Sequence, residues 1–385
     1  MPQTQNSQNI VILDVEGKEK IVKKESTLQY LIGIVRKTGA ISLREKVIFF
    51  RSMATMVNAS MTVLKGLSAL RRQEKVPNMQ KFYDFMIDRI QSGYMMNEAL
   101  RSYYGNFTDA ECSIVEAGEK TGRLNESLLQ IADQTEKIES INRKVKGAMT
   151  YPIVLVIGMI GVVSILLIKV VPTLVTFFGE EEKLPGTTQL ILKISRFLAS
   201  YWIIILIGIF IFYMFVAVWR RSKNGKYHFD KILINIPAFG GIIRKVILSR
   251  FARVFSNLIG SGVSVIESIR ITSDAVGNEV YRQRILLLRE DVKSGMKMAE
   301  SLDSDPLFPD LLVAMLRVGE DTAQVENTVI KIAEFYDEEV DLSINKIQTL
   351  VEPIIMVLMG AIIAFIAIGV YQPMMELGNT IGQNS

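Results

Sequence analysis

The segment Gly118-Glu119-Lys120-Thr121-Gly122 contains glycine, lysine and threonine, the residue types that bind nucleotide phosphates. A phosphate-binding loop follows a strand and has a glycine directly before its Lys-Ser/Thr pair, so that backbone N–H groups surround the phosphate. Here Glu119 occupies the place of that glycine, and its carboxylate would repel a phosphate. We therefore expect no nucleotide site in this segment.

A second copy of the segment lies 201 residues further along the chain. Gly319-Glu320 repeats Gly118-Glu119, whereas Asp321 stands at the lysine position and Ala323 at the position of Gly122. Two interpretations of these acidic turns remain open. The glycines could supply a positive φ between two helices while the glutamates bind backbone donors. Alternatively, the glutamates could contact partner proteins.

The chain offers few groups for catalysis. It has one cysteine, Cys112, and one histidine, His228, so neither a Ser-His-Asp set nor a metal site can be assembled. The lone cysteine cannot form an internal disulfide, and we expect it to be a small buried side chain. We expect a protein that is not an enzyme and holds neither a metal nor another cofactor.

The repeat extends well beyond the acidic turns. Pro152 recurs as Pro353 and Pro172 recurs as Pro373, again 201 residues apart. Further upstream the separation is 202 residues, and the matching pairs are Phe49 and Phe251, Arg51 and Arg253, Gly93 and Gly295, and Glu98 and Glu300. Two homologous units aligned with a single one-residue gap predict a pseudo-symmetric architecture.

Three apolar segments are long enough to cross a bilayer: 151–171, 201–219 and 350–371. They explain a mean hydropathy of +0.27. Basic residues precede the first segment and follow the second, which places the N-terminus inside and the C-terminus outside. The formal net charge of +4 is modest, and the basic residues cluster beside these segments, so we expect no direct nucleic-acid binding.

The sequence between the apolar segments is helical in pattern. Ser42-Leu43-Arg44-Glu45 and Thr108-Asp109-Ala110-Glu111 are capping boxes, each followed by apolar residues at helical spacing. Both units show several short helices and then one long helix that leads towards the membrane. Ahead of them, residues 10–22 predict a small hairpin and Thr27–Lys37 a helix.

These observations predict an all-α fold of two homologous cytoplasmic helical-bundle domains in parallel repeat, with three transmembrane helices. The second span carries the chain back across the membrane, so the second unit lies on the same side as the first and in the same orientation, and the span that follows it brings the total to three. The expected segments are an N-terminal appendage at 1–41, a first helical domain at 42–150, a span at 151–171, an outer loop at 172–200, a second span at 201–219, a juxtamembrane linker with the second helical domain at 220–349, a third span at 350–371 and an outer tail at 372–385.

The repeated prolines mark the ends of two spans. Pro152 and Pro353 lie where a charged helix meets apolar sequence, and Pro172 and Pro373 close the span. A proline inside a helix removes a hydrogen bond and kinks it, whereas a proline at an end stops it. A hinge at the membrane junction and a helix break without motion both remain open.

Several segments together resemble one bacterial family, the platform proteins of type II secretion and type IV pilus machines. The resemblance covers residues 42–378 and departs from the family at Ala59-Ser60, where Ala-Gly is usual, and at Ala323. The segments that carry it are FFRSMATMVNASMTVLKGL, SGYMMNEAL, FTDAECSIVEAGEKTGRL, the long helix into TYPIVLVIG, and second copies ending in VEPIIMVLMGAIIAFIAIGVYQPM.

The resemblance implies a multi-pass protein of the bacterial inner membrane, at the base of the machine. Such a protein couples a cytoplasmic hexameric ATPase to the assembly of pilin-like subunits, beside other inner-membrane assembly proteins, and it self-associates. Carried over to this chain, Gly118, Glu119, Gly122, Gly319 and Glu320 mark the acidic turns, and Pro152 and Pro353 the membrane junctions.

Two other functions compete with this one. A transporter would place charged residues deep inside the spans and a substrate site near the membrane midplane. The sequence shows neither, since Lys169 lies near the outer end of the first span, where its stem can reach the interface. A membrane-anchored scaffold of another complex fits the same residues as the platform does.

Overall fold

The computed structural model of the protein describes residues 10–13, 19–22, 40–103, 105–176, 186–220, 222–237 and 239–383. The predicted hairpin is confirmed: strand β1 (Ile10–Leu13) pairs antiparallel with β2 (Glu19–Val22), and Ile10 lies opposite Val22. The helix expected at 27–37 lies outside the described residues. Every other described element is helical.

The first unit consists of five helices and the beginning of a sixth. The five are α1 (Leu43–Asn58), α2 (Val63–Gln73), α3 (Pro77–Gln91), α4 (Met96–Ser102) and α5 (Asp109–Thr121). Both predicted capping boxes are present. Ser42 and Thr108 each accept a hydrogen bond from the backbone of a glutamate three residues on, and that carboxylate accepts one in return.

The core of the first unit is rich in aromatic side chains. Phe49 is fully buried, and its ring meets that of Phe82 edge to face at 4.9 Å between centroids. Phe107 packs against both rings. Edge-to-face contacts of this kind add to the stabilisation from burying the rings themselves. The core therefore holds α1, α3 and the loop before α5 together.

The second unit repeats this arrangement. Its helices are α9 (Lys223–Asn235), α10 (Gly240–Gly260), α11 (Val265–Ala275), α12 (Glu279–Lys293), α13 (Met298–Ser301) and α14 (Asp310–Asp321). Phe251, the counterpart of Phe49, is buried and contacts Phe308. Helices α9 and α10 are bent by 112° relative to each other and are together apolar enough for a broken span, but most of their buried apolar residues lie in the core of this unit.

Each unit continues into a long helix. Helix α6 (Leu124–Ile165) passes into a π-helical turn at Leu166–Val170 and a short helix α7 (Val171–Thr176). Helix α15 spans Val325–Gln383, and between the two lies α8 (Gly186–Trp219). Helix α6 with its continuation, helix α8 and helix α15 are each long and apolar enough to cross a membrane. This agrees with the three predicted spans.

The helices reach further than the predicted loop and tail. The outer loop was expected at 172–200, but α7 ends at Thr176 and α8 begins at Gly186. The outer tail was expected from residue 372, yet α15 is helical to Gln383. Apolar length alone identifies only the part of a helix that fits the hydrocarbon core, and polar turns extend it beyond.

The two units and their long helices form one body. Val254 and Leu258 of α10 are buried in the core of the first unit. The Asn257 amide donates to Gln134 Oε1 at 2.8 Å, and Gln130 Nε2 donates to the Asn257 carbonyl at 3.0 Å. Along α6 and α15, Ile141, Ala148, Val340 and Ile344 share a buried cluster.

Acidic turns and membrane junctions as the candidate functional site

Glu119 caps a neighbouring helix. Its two carboxylate oxygens accept hydrogen bonds from the backbone N–H groups of Met96 at 2.7 Å and Asn97 at 3.0 Å, in the first turn of α4. The first N–H groups of a helix have no partner within the helix, and the positive end of the helix dipole attracts a carboxylate. Burial raises the pKa of the half-buried Glu119 carboxyl, and the two backbone donors oppose that rise.

Glu320 makes the same contacts in the second unit. Its carboxylate accepts from the backbone N–H groups of Met298 at 2.7 Å and Ala299 at 3.0 Å, in the first turn of α13. The distances equal those around Glu119 in the first unit. In both units the glutamate therefore ties the end of one helix to the start of a helix about 22 residues earlier.

Gly118 and Gly319 serve a different purpose from the one expected. Both lie within a helix, α5 and α14, and neither has a positive φ. A Cβ on Gly118 would lie 2.4 Å from Ser127 Oγ, and one on Gly319 would lie 3.1 Å from the Thr328 side chain. The expectation of a positive φ was wrong here, because these glycines allow two helices to approach closely.

Gly122 is the glycine that supplies the left-handed turn. It ends α5 with a φ of 74°, as the structural interpretation of the turn expected. Its counterpart Ala323 adopts the same region with a φ of 54°. Ser60, the other departure from the family pattern, has a φ of 61°, where its counterpart Gly262 has 84°. Both departures thus place a side chain where the backbone favours glycine.

The segment that resembles a phosphate-binding loop is helical. Residues 118–121 form the last turn of α5, preceded by helix and not by a strand, so their N–H groups point along the helix. Among the described residues, no group of three or more His, Cys, Asp or Glu is placed to hold a metal ion. Cys112 is fully buried, and burial raises the pKa of its thiol to about 11.

The repeated prolines lie inside continuous helices. Pro152 is within α6 and is buried, whereas Pro353 is within α15 and is exposed. Helix α15 also continues through Pro373, and the helical chain continues past Pro172 for four residues. A helix break at these prolines is therefore wrong, since the hydrogen bonds of the flanking turns hold the helix together. A hinge stays a prediction.

Ion pairs beside the two acidic turns have opposite polarity. In the first unit, Arg101 lies 3.8 Å from Glu116. At the corresponding positions of the second unit, Asp303 lies 3.0 Å from Arg317. Lys120 of the first unit likewise corresponds to Asp321. The two units present the same backbone frame with the charges exchanged.

Sequence reasoning missed a buried ion pair in the first unit. Lys46 Nζ donates to both carboxylate oxygens of Glu111, at 2.8 and 3.0 Å, and both side chains are less than a tenth exposed. The corresponding residues of the second unit are Leu248 and Leu312, both buried. Comparing the repeats position by position would have revealed a charged pair in one unit where the other is apolar.

The same duplicated units appear when the chain is compared with known proteins. The family described as type II secretion system (T2SS) protein F matches twice, over residues 49–172 and 251–373. The chain belongs to this family. The two matches cover the two helical units, each together with its long helix and the span that follows.

Members of the family from two assembly systems are similar to the chain. It is 33% identical to the type IV pilus assembly protein PilC of Pseudomonas aeruginosa, over 87% of this chain and 90% of the relative. It is 32% identical to the type IV pilus assembly protein TapC of Aeromonas hydrophila, over 91% and 86%. It is 29% identical to the type II secretion system protein F of Aeromonas hydrophila, over 97% and 95%.

Proposed function

We propose that this family member is an inner-membrane platform protein that couples a cytoplasmic ATPase to the assembly of pilin-like subunits. The long continuous helices carry the proposal. Helix α6 runs from the first acidic turn through the membrane junction, and α15 does the same from the second turn. A force applied to either unit would therefore reach a span without crossing a flexible connection.

The partner surface in this proposal lies beside the acidic glutamates. Both carboxylate oxygens of Glu119 already accept backbone hydrogen bonds, so a variant of Glu119 would disturb α4 before it disturbed any partner. Arg101 and Lys120 are exposed next to it, as Asp303 and Asp321 are in the second unit. These exposed charges are where an ATPase or another assembly protein would distinguish the two units.

Purification from native membranes tests the proposal. Wild-type protein is expected to bring down a secretion or pilus ATPase and pilin-like proteins. Recovery of a different complex in repeated trials, with neither of these, would show a scaffold of another kind and overturn the platform function.

A charge-exchange variant tests the partner surface. R101D/E116R/K120D gives the first unit the charges of the second and keeps the pair between positions 101 and 116. We expect its thermal stability to stay at the wild-type level, since exposed pairs contribute little, and its recovery of the ATPase to fall. Unchanged ATPase recovery would show that the ATPase binds another surface of the protein. The reverse variant D303R/R317E, which leaves the Lys297–Asp321 pair at 2.7 Å in place, is the matched control for the second unit.

The proposed orientation has the N-terminus inside and the C-terminus outside. Basic residues at the inner junctions support it, among them Arg143 before the first span and Arg220 after the second. A cysteine at Asn379 in intact cells is expected to react with a membrane-impermeant thiol reagent. Protection of that cysteine until the cells are opened would contradict the orientation.

A further inference from the structure

We propose that the membrane junction of α6 binds the headgroup of an anionic phospholipid. A groove of about 440 Å³ runs along this part of the helix. Its lining residues are Glu139, Asn142, Arg143, Lys146, Gly147 and Thr150. A Cβ on Gly147 would meet no atom within 4 Å, so this glycine leaves the groove open at its middle.

The groove lies at the depth of lipid headgroups. The apolar segment begins at Tyr151, and at 1.5 Å per residue Lys146 is about 7.5 Å and Arg143 about 12 Å before it. Headgroups occupy a layer of about 5–8 Å on each side of the hydrocarbon core, and lysine and arginine side chains extend several ångströms further. Tyr151 is half-exposed, as is usual for aromatic residues at the interface.

The charges in the groove favour a phosphate. Arg143 and Lys146 are both exposed. Among the described residues Lys146 forms no ion pair, while Arg143 has Glu139 at 3.6 Å, on the side away from the membrane. The neighbouring Lys144 is turned away and binds Asp341 at 2.6 Å. Lys146 is thus free to meet an anion from the membrane side, and the Arg143 guanidinium has further N–H groups to offer that anion besides its contact with Glu139.

The second unit shows that this face is special to the first. The residues of α15 that correspond to Glu139 and Arg143 are Val340 and Ile344, which are buried in a cluster with Ile242 of α10. A protein helix covers the face in the second unit, whereas the face of α6 is polar and open. Exposed apolar residues such as Val154 continue directly from the open face, where acyl chains would lie.

Lipid titration of the full-length protein in detergent, followed by native mass spectrometry, tests this site. Wild-type protein is expected to bind phosphatidylglycerol at least tenfold more tightly than phosphatidylcholine. Each basic residue near a membrane surface contributes about fivefold in affinity, so R143Q/K146Q is expected to weaken phosphatidylglycerol binding by about 25-fold. Binding of phosphatidylcholine is expected to stay unchanged.

R220Q/K346Q is the matched control, because it removes two other exposed juxtamembrane charges outside the groove. It is expected to leave the tight phosphatidylglycerol site intact. An equal loss of phosphatidylglycerol affinity in the control and in R143Q/K146Q would show diffuse attraction to basic residues and overturn the proposal. Equal affinity of the wild-type protein for the two lipids would also overturn it. Displacement of the lipid by inorganic phosphate at equal concentration would assign the groove to a free anion instead. Equal thermal stability of the variants excludes misfolding.

Discussion

Lys46 and Glu111 form a charged pair in a place where the other unit is apolar. The pair is well satisfied, because Glu111 also accepts from the Thr108 N–H at 2.7 Å and Lys46 Nζ lies 4.9 Å from the centre of the Phe107 ring. Removing two charges from water costs several kcal/mol, which a good geometry roughly offsets. The second unit solves the same packing problem with Leu248 and Leu312.

Breaking this pair is predicted to destabilise the first unit strongly. E111A leaves the Lys46 ammonium buried without a partner, which costs about 3–5 kcal/mol and lowers the thermal unfolding midpoint of the full-length protein. K46L/E111L installs the residues of the second unit and is predicted to stay within about 1 kcal/mol of the wild type, since it leaves no unpaired charge. Scanning fluorimetry in detergent measures both. A double variant as unstable as E111A would mean that the pair specifies the packing of this core.

Two residues with a left-handed backbone are predicted to be improved by glycine. Ala323 and Ser60 have φ values of 54° and 61° and are exposed, so no packing is lost when the side chain is removed. A323G and S60G are each expected to raise the free energy of unfolding by up to about 1 kcal/mol. Each change relieves the strain of a Cβ in this backbone region, and the greater freedom that glycine gives the unfolded chain offsets part of the gain. The reverse changes, G122A and G262A, should lower it. A fall in midpoint for A323G would show that the turn needs its side chain.

The sequence predicts the residues whose role is local. The capping boxes at Ser42 and Thr108 and the turn at Gly122 follow from neighbours within a few positions, and the structure confirms them. The Lys46–Glu111 pair joins residues 65 positions apart, and the clash at Gly118 depends on where α6 packs. Only the tertiary fold brings such groups together.

At the scale of the element, the prolines show the limit of a local rule. Each was expected to interrupt or end a helix, yet α15 contains both Pro353 and Pro373. A proline removes one N–H and crowds the carbonyl four residues earlier, a cost of about 3 kcal/mol in a soluble helix. A helix of 59 residues retains enough hydrogen bonds on both sides to remain continuous. The spans themselves were predictable, because apolar length is a property of composition.

Replacing Pro353 is predicted to separate stability from function. The residue is exposed, so P353A opens no cavity and allows its N–H to bond to the Thr349 carbonyl. We expect an equal or higher unfolding midpoint. If the junction acts as a hinge, fibre or pseudopilus assembly in cells is expected to fall at normal protein levels. I354A, at the exposed neighbouring position, is the control for a simple change of surface. Normal assembly by P353A would show that assembly does not need a hinge at Pro353.

At the scale of the whole molecule, the two long helices are held side by side. Residues 141–148 of α6 share a buried cluster with residues 340–344 of α15, so the two helices pack against each other there. Lys144 and Asp341 pair across them at 2.6 Å. This contact was not predictable from either unit alone, because the repeat indicates two similar bodies but not how they pack.

Linking the two long helices is predicted to stop assembly if they move against each other during the cycle. K144C/D341C, joined by a cleavable bifunctional thiol reagent, tests this in native membranes. Cys112 will not react, since it is buried and burial raises the pKa of its thiol. Assembly is expected to stop on linking and to resume when the link is cleaved. The unlinked double variant and K144C alone should assemble normally, because an exposed pair contributes at most about 1 kcal/mol. Unimpaired assembly by the linked protein would mean that the helices work as one rigid piece.

The exchanged charges at Arg101–Glu116 and Asp303–Arg317 also bear on how a duplicated gene diverges. Changing either member of a pair alone places two like charges side by side, so the polarity inverts only through two substitutions that compensate each other. After this inversion the two acidic turns carry different charge patterns. A ligand with twofold symmetry could then match the charges beside one turn but would be repelled by those beside the other. Duplication supplied two copies of one fold, and the inversion of charge allows each copy to bind a different partner surface.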